Sequence, residues 1–99
     1  MYIIAKITNQ PIHAKVENIR YIGKMDSRLV NVQDLSYALF FKTEEAAFEE
    51  YQRLTEQLRK DKICQRYAII EVPSDVYLSD IEEYVLNRLK VTHKARNAS

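Results

Sequence analysis

The single glycine among 99 residues, Gly23, constrains this chain more than any other feature. Phosphate loops and dinucleotide fingerprints need several glycines, because the backbone must approach phosphate with no side chain in the way. Such sites are excluded here. Turns must draw instead on Asn, Asp, Ser and Pro. A chain this long suits one domain and buries somewhat over ~60% of its unfolded surface, enough for a core without staples. Its 46% apolar and 29% charged residues are those of a globular protein.

Apolar spacing sets out the elements. Tyr2 to Thr8, YIIAKIT, is rich in β-branched residues and reads as a strand, with Ile3, Ala5 and Ile7 on one side. Asn9 to Pro11 break it. Ile12–Val16, Asn18–Gly23 and Arg28–Val32 are further strand candidates, with Gly23 and KMDS as a turn. Ala38–Phe41, ALFF, has the short apolar form of a central strand. Arg66–Val72, RYAIIEV, alternates clearly and stops at Pro73.

Two helices follow from 3.6-residue periodicity. Thr43 is placed to cap the first, and Glu44 and Glu45 meet the positive end of its dipole. Ala47, Tyr51, Leu54 and Leu58 form its inner face, widened by Phe48. Glu45, Glu49, Gln52 and Glu56 lie opposite. The spacing predicts ion pairs of Glu49 with Arg53 and Glu56 with Lys60. Ser79 and Glu82 form a capping box for the second helix, whose inner face is Ile81, Val85 and Leu89 to about Val91. The expected domain spans 1–92, followed by a polar tail over 93–99.

The charges, 15 basic against 14 acidic, nearly cancel, so an electrostatic partner must be met by a local patch. Cys64 is the lone cysteine, which forbids an internal disulfide and suits a reducing compartment. No signal-peptide pattern opens the sequence and no apolar run approaches the ~20 residues of a membrane span. A cytoplasmic location is the expectation.

Catalytic and metal patterns are sparse. His13, His93 and Cys64 are scattered without ligand spacing. The pairs Glu44/Glu45, Glu49/Glu50 and Glu82/Glu83 are sequential neighbours that diverge on a helix, unsuited to acid–base work. Neither enzyme activity nor a cofactor is expected. Two basic clusters are present: Arg59, Lys60, Lys62 and Arg66, and the acid-free set Arg88, Lys90, Lys94 and Arg96. With Tyr2, Tyr21, Tyr67 or Tyr77 as stacking rings, such clusters could hold single-stranded DNA or RNA. Basic residues at helix ends and core tyrosines give the plainer reading.

The link Leu35, Ala38, Phe41 and Thr43, between an opening strand with its hairpin and a helix, and the closing strand Tyr67, Ile69, Glu71 and Val72, resemble small phage and mobile-element proteins of Gram-positive bacteria. The resemblance covers roughly residues 1–72 and rests on packing and capping positions. Some proteins of that origin are anti-CRISPR inhibitors of Cas9-type nucleases. The resemblance implies a non-catalytic inhibitor that binds such a nuclease or its guide RNA. A small nucleic-acid-binding module is the alternative.

The expected fold is α+β: an antiparallel sheet of three to five strands with two helices mainly on one face. Ile3, Ile7, Phe41, Tyr51, Leu54, Leu58, Ile70 and Leu89 should be buried together. Tyr84, Leu86 and Val91 exceed what one sheet face needs and suggest a homodimer through the last helix. Two surfaces compete for a partner: the basic set Arg88, Lys90, Lys94 and Arg96, favoured because it has no acidic neighbour, and the stripe Glu45, Glu49 and Glu56.

Overall fold

The computed structural model describes residues 1–8, 13–63 and 65–97, with backbone only at residue 78 and residues 92–97. Four strands, β1 (Tyr2–Ile7), β2 (Ile19–Met25), β3 (Arg28–Val32) and β4 (Ala68–Glu71), form one antiparallel sheet in the order β3-β2-β1-β4. Two helices, α1 (Glu44–Lys60) and α2 (Ile81–Asn97), complete an α+β fold.

The helices lie on opposite faces of the sheet, not on one face as expected. Leu54 of α1 packs with Ile4, Ile22, Leu29 and Tyr67. Ile81, Val85, Leu86 and Leu89 of α2 pack with Ile3, Ala5, Ile19, Tyr21 and Ile70. The cause is in β1: Ile3 and Ile4 point to opposite faces, and both are 0% exposed. A strand apolar on both sides needs a layer on each. The expected single core is therefore two. Ile3, Ile70 and Leu89 belong to one, with Ile7 against it. Leu54 belongs to the other, with Phe41, Tyr51 and Leu58 against it.

The β2–β3 hairpin turns on Asp26 and Ser27, between the paired Met25 and Arg28. Their φ values of 49° and 65° make the two-residue turn whose twist matches the strands. Gly23, expected in this turn, sits buried inside β2. The described part of the expected strand over 12–16 is not a strand: a 3-10 turn, Val16–Asn18, leads into β2. Ala38–Phe41 is not a central strand either. The β1–β2 ladder covers only Ala5–Ile7. Beyond it, Leu39 N–H donates to the Ile22 carbonyl at 2.9 Å, and Phe41 and Tyr2 exchange bonds at 2.8 Å. The segment thus bridges the two strands where they part.

Thr43 caps α1 as expected, its hydroxyl accepting from Ala46 N–H at 3.1 Å. The other end closes with Lys62 N–H on the Arg59 carbonyl (3.1 Å) and Ile63 N–H on the Leu58 carbonyl (2.9 Å). That is the Schellman arrangement, with Lys62 at φ 56° where glycine is usual. A 3-10 turn, Leu78–Asp80, contains Ser79 and precedes α2. α2 runs past Val91 to Asn97, through the stretch expected to fray.

Candidate interaction surface

The outer face of α1 carries Glu45, Glu49 and Glu56, all exposed. At ~100° per residue they fall within ~40° of one another, and at ~1.5 Å rise they span ~16 Å. They form one straight ridge turned away from the sheet. The expected pairing that would neutralise it is absent from the described residues. Arg53 instead bonds Glu50 at 3.1 Å, one position round the helix from Glu49. The other ion pair among the described residues, Arg28–Asp61 at 3.0 Å, lies at the far end of α1.

At its N-terminal end the ridge borders a shallow open cleft lined by Thr43, Glu44, Glu45, Phe48 and Glu49. Phe48 is 51% exposed there. The sequence reading assigned Phe48 to the buried face. Its offset should have separated it: Phe48 is six residues before Leu54, well off the stripe of Ala47, Tyr51, Leu54 and Leu58.

The C-terminal basic set is arranged differently. Arg88 is exposed and Lys90 half-buried. Arg88 makes an interaction within the protein. The side chains of Lys94 and Arg96 lie outside the described residues. A helix continuous to Asn97 sets Lys90 and Lys94 at neighbouring positions, with Arg88 and Arg96 on the opposite side of the axis.

Of the four tyrosines offered as stacking rings, two are internal and Tyr2 is half-buried. Tyr21 is 1% and Tyr67 6% exposed, whereas Tyr77 is 78% exposed. Burial, and next the Glu82 carboxylate, push the Tyr21 hydroxyl well above its ordinary range. Tyr67 crosses the α1-side face: its hydroxyl donates to Asn31 Oδ1 on β3, Lys6 Nζ lies 5.2 Å from its ring centroid, and its carbonyl accepts from the Tyr51 hydroxyl at 3.2 Å. These contacts tie the sheet together.

Among the described residues, no group of three or more His, Cys, Asp and Glu is placed to hold a metal. His13 is exposed, Cys64 lies outside the described residues, and so does the His93 side chain. Asp34 sits below the usual carboxylate range because Ser36 N–H (2.9 Å) and then the Ser36 hydroxyl (2.8 Å) donate to it, which fixes a local turn. Among the described residues no helix is long and apolar enough to cross a membrane. The apolar residues proposed for a dimer through α2 are largely spent internally. Leu86 is buried in the core, Tyr84 packs against it, and of the three Val91 alone is exposed. Comparison with protein-family models, with curated proteins and with solved structures gives no match.

Proposed function

We propose that this protein is a non-catalytic binding protein that acts by occlusion, seating the α1 ridge on a basic protein surface that otherwise holds nucleic acid. A Cas9-type nuclease is the partner class, in keeping with the sequence resemblance to phage and mobile-element proteins. One observation carries the reading: Glu45, Glu49 and Glu56 share an exposed line with no ion pair among the described residues. Carboxylates aligned on one face can take the place of backbone phosphates against Lys and Arg. Direct nucleic-acid binding is less supported, because Tyr21 and Tyr67 are committed to packing.

The test is a cleavage assay with a guide-loaded Cas9-type nuclease, run beside a direct binding measurement. Wild-type protein should bind the nuclease and reduce cleavage, and Glu45→Gln/Glu49→Gln/Glu56→Gln should do neither. Salt-sensitive binding to generic single-stranded RNA or DNA, with no effect on the nuclease, would replace this reading with the nucleic-acid one.

A further inference from the structure

Both edges of the sheet turn outward backbone groups away from their neighbours, and they differ in the α1 flank that stands beside them. On β3 the hairpin fixes which groups point outward. Met25–Arg28, Gly23–Val30 and Tyr21–Val32 are the bonded pairs, so Leu29 and Asn31 face away from β2. On that edge the Leu29 carbonyl accepts from Gln57 Nε2 of α1 at 3.1 Å, as at the other edge the Tyr67 carbonyl accepts from the Tyr51 hydroxyl at 3.2 Å.

On β4 the order is set by Met1 and Val72. Val72 N–H donates to the Met1 carbonyl at 2.6 Å, and the N-terminal ammonium donates to the Val72 carbonyl at 3.1 Å. Alternation then turns Ile70 and Ala68 toward β1, and Ile69 and Glu71 outward. Among the described residues nothing bonds the backbone N–H of Ile69 or Glu71. Ala68–Glu71 holds no lysine, proline or bulge, and its protection against pairing is limited to its four-residue length and the charge of Glu71.

The α1 flank beside this edge is also open. Tyr51 reaches the Tyr67 carbonyl and so marks the β4 side of α1, while Gln57 marks the β3 side. Phe48 is three residues from Tyr51 and nine from Gln57, which places it toward β4 and half a revolution from the β3 side. An exposed phenylalanine therefore lies on the flank of α1 that faces the β4 side.

The geometry points to the β4 edge as the site where a second copy of this chain adds antiparallel, joining two four-stranded sheets into one across a two-fold axis at Ile69. In that register Ile69 faces its own counterpart and Tyr67 faces Glu71, so no like charges oppose each other. Each outward N–H meets an outward carbonyl, that of Tyr67 through the lone pair the Tyr51 hydroxyl leaves open. The symmetry also sets the two α1 helices on the same face, flank to flank, where each covers apolar surface of the other. A lone strand from another protein would satisfy the backbone and leave Phe48 wet. The ridge of Glu45, Glu49 and Glu56 points away from the sheet and stays open in the pair, so this inference stands apart from the proposed function.

Sedimentation equilibrium across low- to high-micromolar concentration tests it, together with amide exchange of the wild-type protein. The expected mass at the upper end is twice 11.7 kDa, with Ile69 and Glu71 amides protected there and exchanging freely on dilution. Glu71→Pro removes an outward donor without touching the β1 ladder and should give a monomer with unchanged far-UV circular dichroism. Phe48→Glu should raise the dissociation constant at least ~10-fold. A wild-type monomer throughout, a dimer that survives both substitutions, or Ile69 and Glu71 exchange independent of concentration each overturns the inference. If Glu71→Pro fails to fold, Phe48→Glu and the wild-type exchange decide.

Discussion

A β-carbon on Gly23 would stand 2.6 Å from the Tyr37 carbonyl oxygen and 3.1 Å from Val32 Cγ1. Gly23 needs no unusual backbone angle. It is a glycine because the 3-10 turn Leu35–Tyr37 lies directly on β2. Gly23→Ala must push that turn off the sheet, and the expected loss is ~1–3 kcal/mol of stability, as for other overpacked sites. Urea unfolding at neutral pH measures it. An unchanged midpoint would mean the turn yields without cost.

The one glycine thus supplies space, and the left-handed positions go to other residues. Lys62 is exposed, at φ 56°, and closes the Schellman motif of α1. A left-handed non-glycine residue costs roughly 1–2 kcal/mol, part of which glycine gives back through its freer unfolded chain. Lys62→Gly should therefore stabilise by ~0.5–1 kcal/mol. Thermal unfolding should show a rise in midpoint of a few degrees.

The two-sided core makes a separate prediction. Leu54→Ala and Leu89→Ala should each cost ~2–5 kcal/mol. The double variant should lose the sum to within ~0.5 kcal/mol, because the sheet separates the two clusters and they share no partner. A single core, as the sequence first suggests, would show coupling well above that. Combined unfolding curves distinguish the two.

That contrast shows what was legible. The strands of β1, β2, β3 and β4, the Thr43 cap and the inner face of α1 follow from local spacing and were readable. Which face each helix covers is a long-range matter. Ile3 and Ile4 both being apolar was the available signal, and it was read as one inner and one outer side. ALFF is ambiguous in sequence because apolar content alone cannot tell a paired strand from a segment held by Leu39 and Phe41 at three backbone bonds. The carboxylate line was legible, but its charge balance was not. Arg53 can reach Glu49 or Glu50 equally well by spacing, and rotamer packing decides.

Tyr21 carries the one buried side-chain oxygen or nitrogen without a partner among the described residues, its hydroxyl. Leaving such a group unsatisfied costs ~1–3 kcal/mol. Tyr21→Phe should accordingly be neutral to stabilising by up to ~1 kcal/mol. The pH dependence follows from the same burial. The folded state holds this proton with its pKa raised, whereas the unfolded tyrosine titrates near ~10. Stability is fully present below that pH and falls as pH rises beyond it, because the unfolded state then sheds a proton the folded state keeps. Tyr67, also raised by burial, adds in the same direction. Unfolding free energy measured from neutral pH into the alkaline range should decline above ~10, less steeply in Tyr21→Phe.

The ridge on α1 should prove dispensable for folding. Glu45, Glu49 and Glu56 are exposed and form no ion pair among the described residues. Removing their charge forfeits little beyond the favourable meeting of Glu45 with the helix N-terminus, worth ~0.3–1 kcal/mol. It also relieves the like-charge pair Glu45–Glu49, four residues apart, by a similar amount. Glu45→Gln/Glu49→Gln/Glu56→Gln should thus unfold within about 1 kcal/mol of wild type. The sign should depend on salt: any gain from relieved repulsion shrinks as ionic strength rises. Chemical unfolding at low and high salt checks both statements. A loss of several kcal/mol would make the ridge a structural feature and remove the ground for reading it as a docking surface.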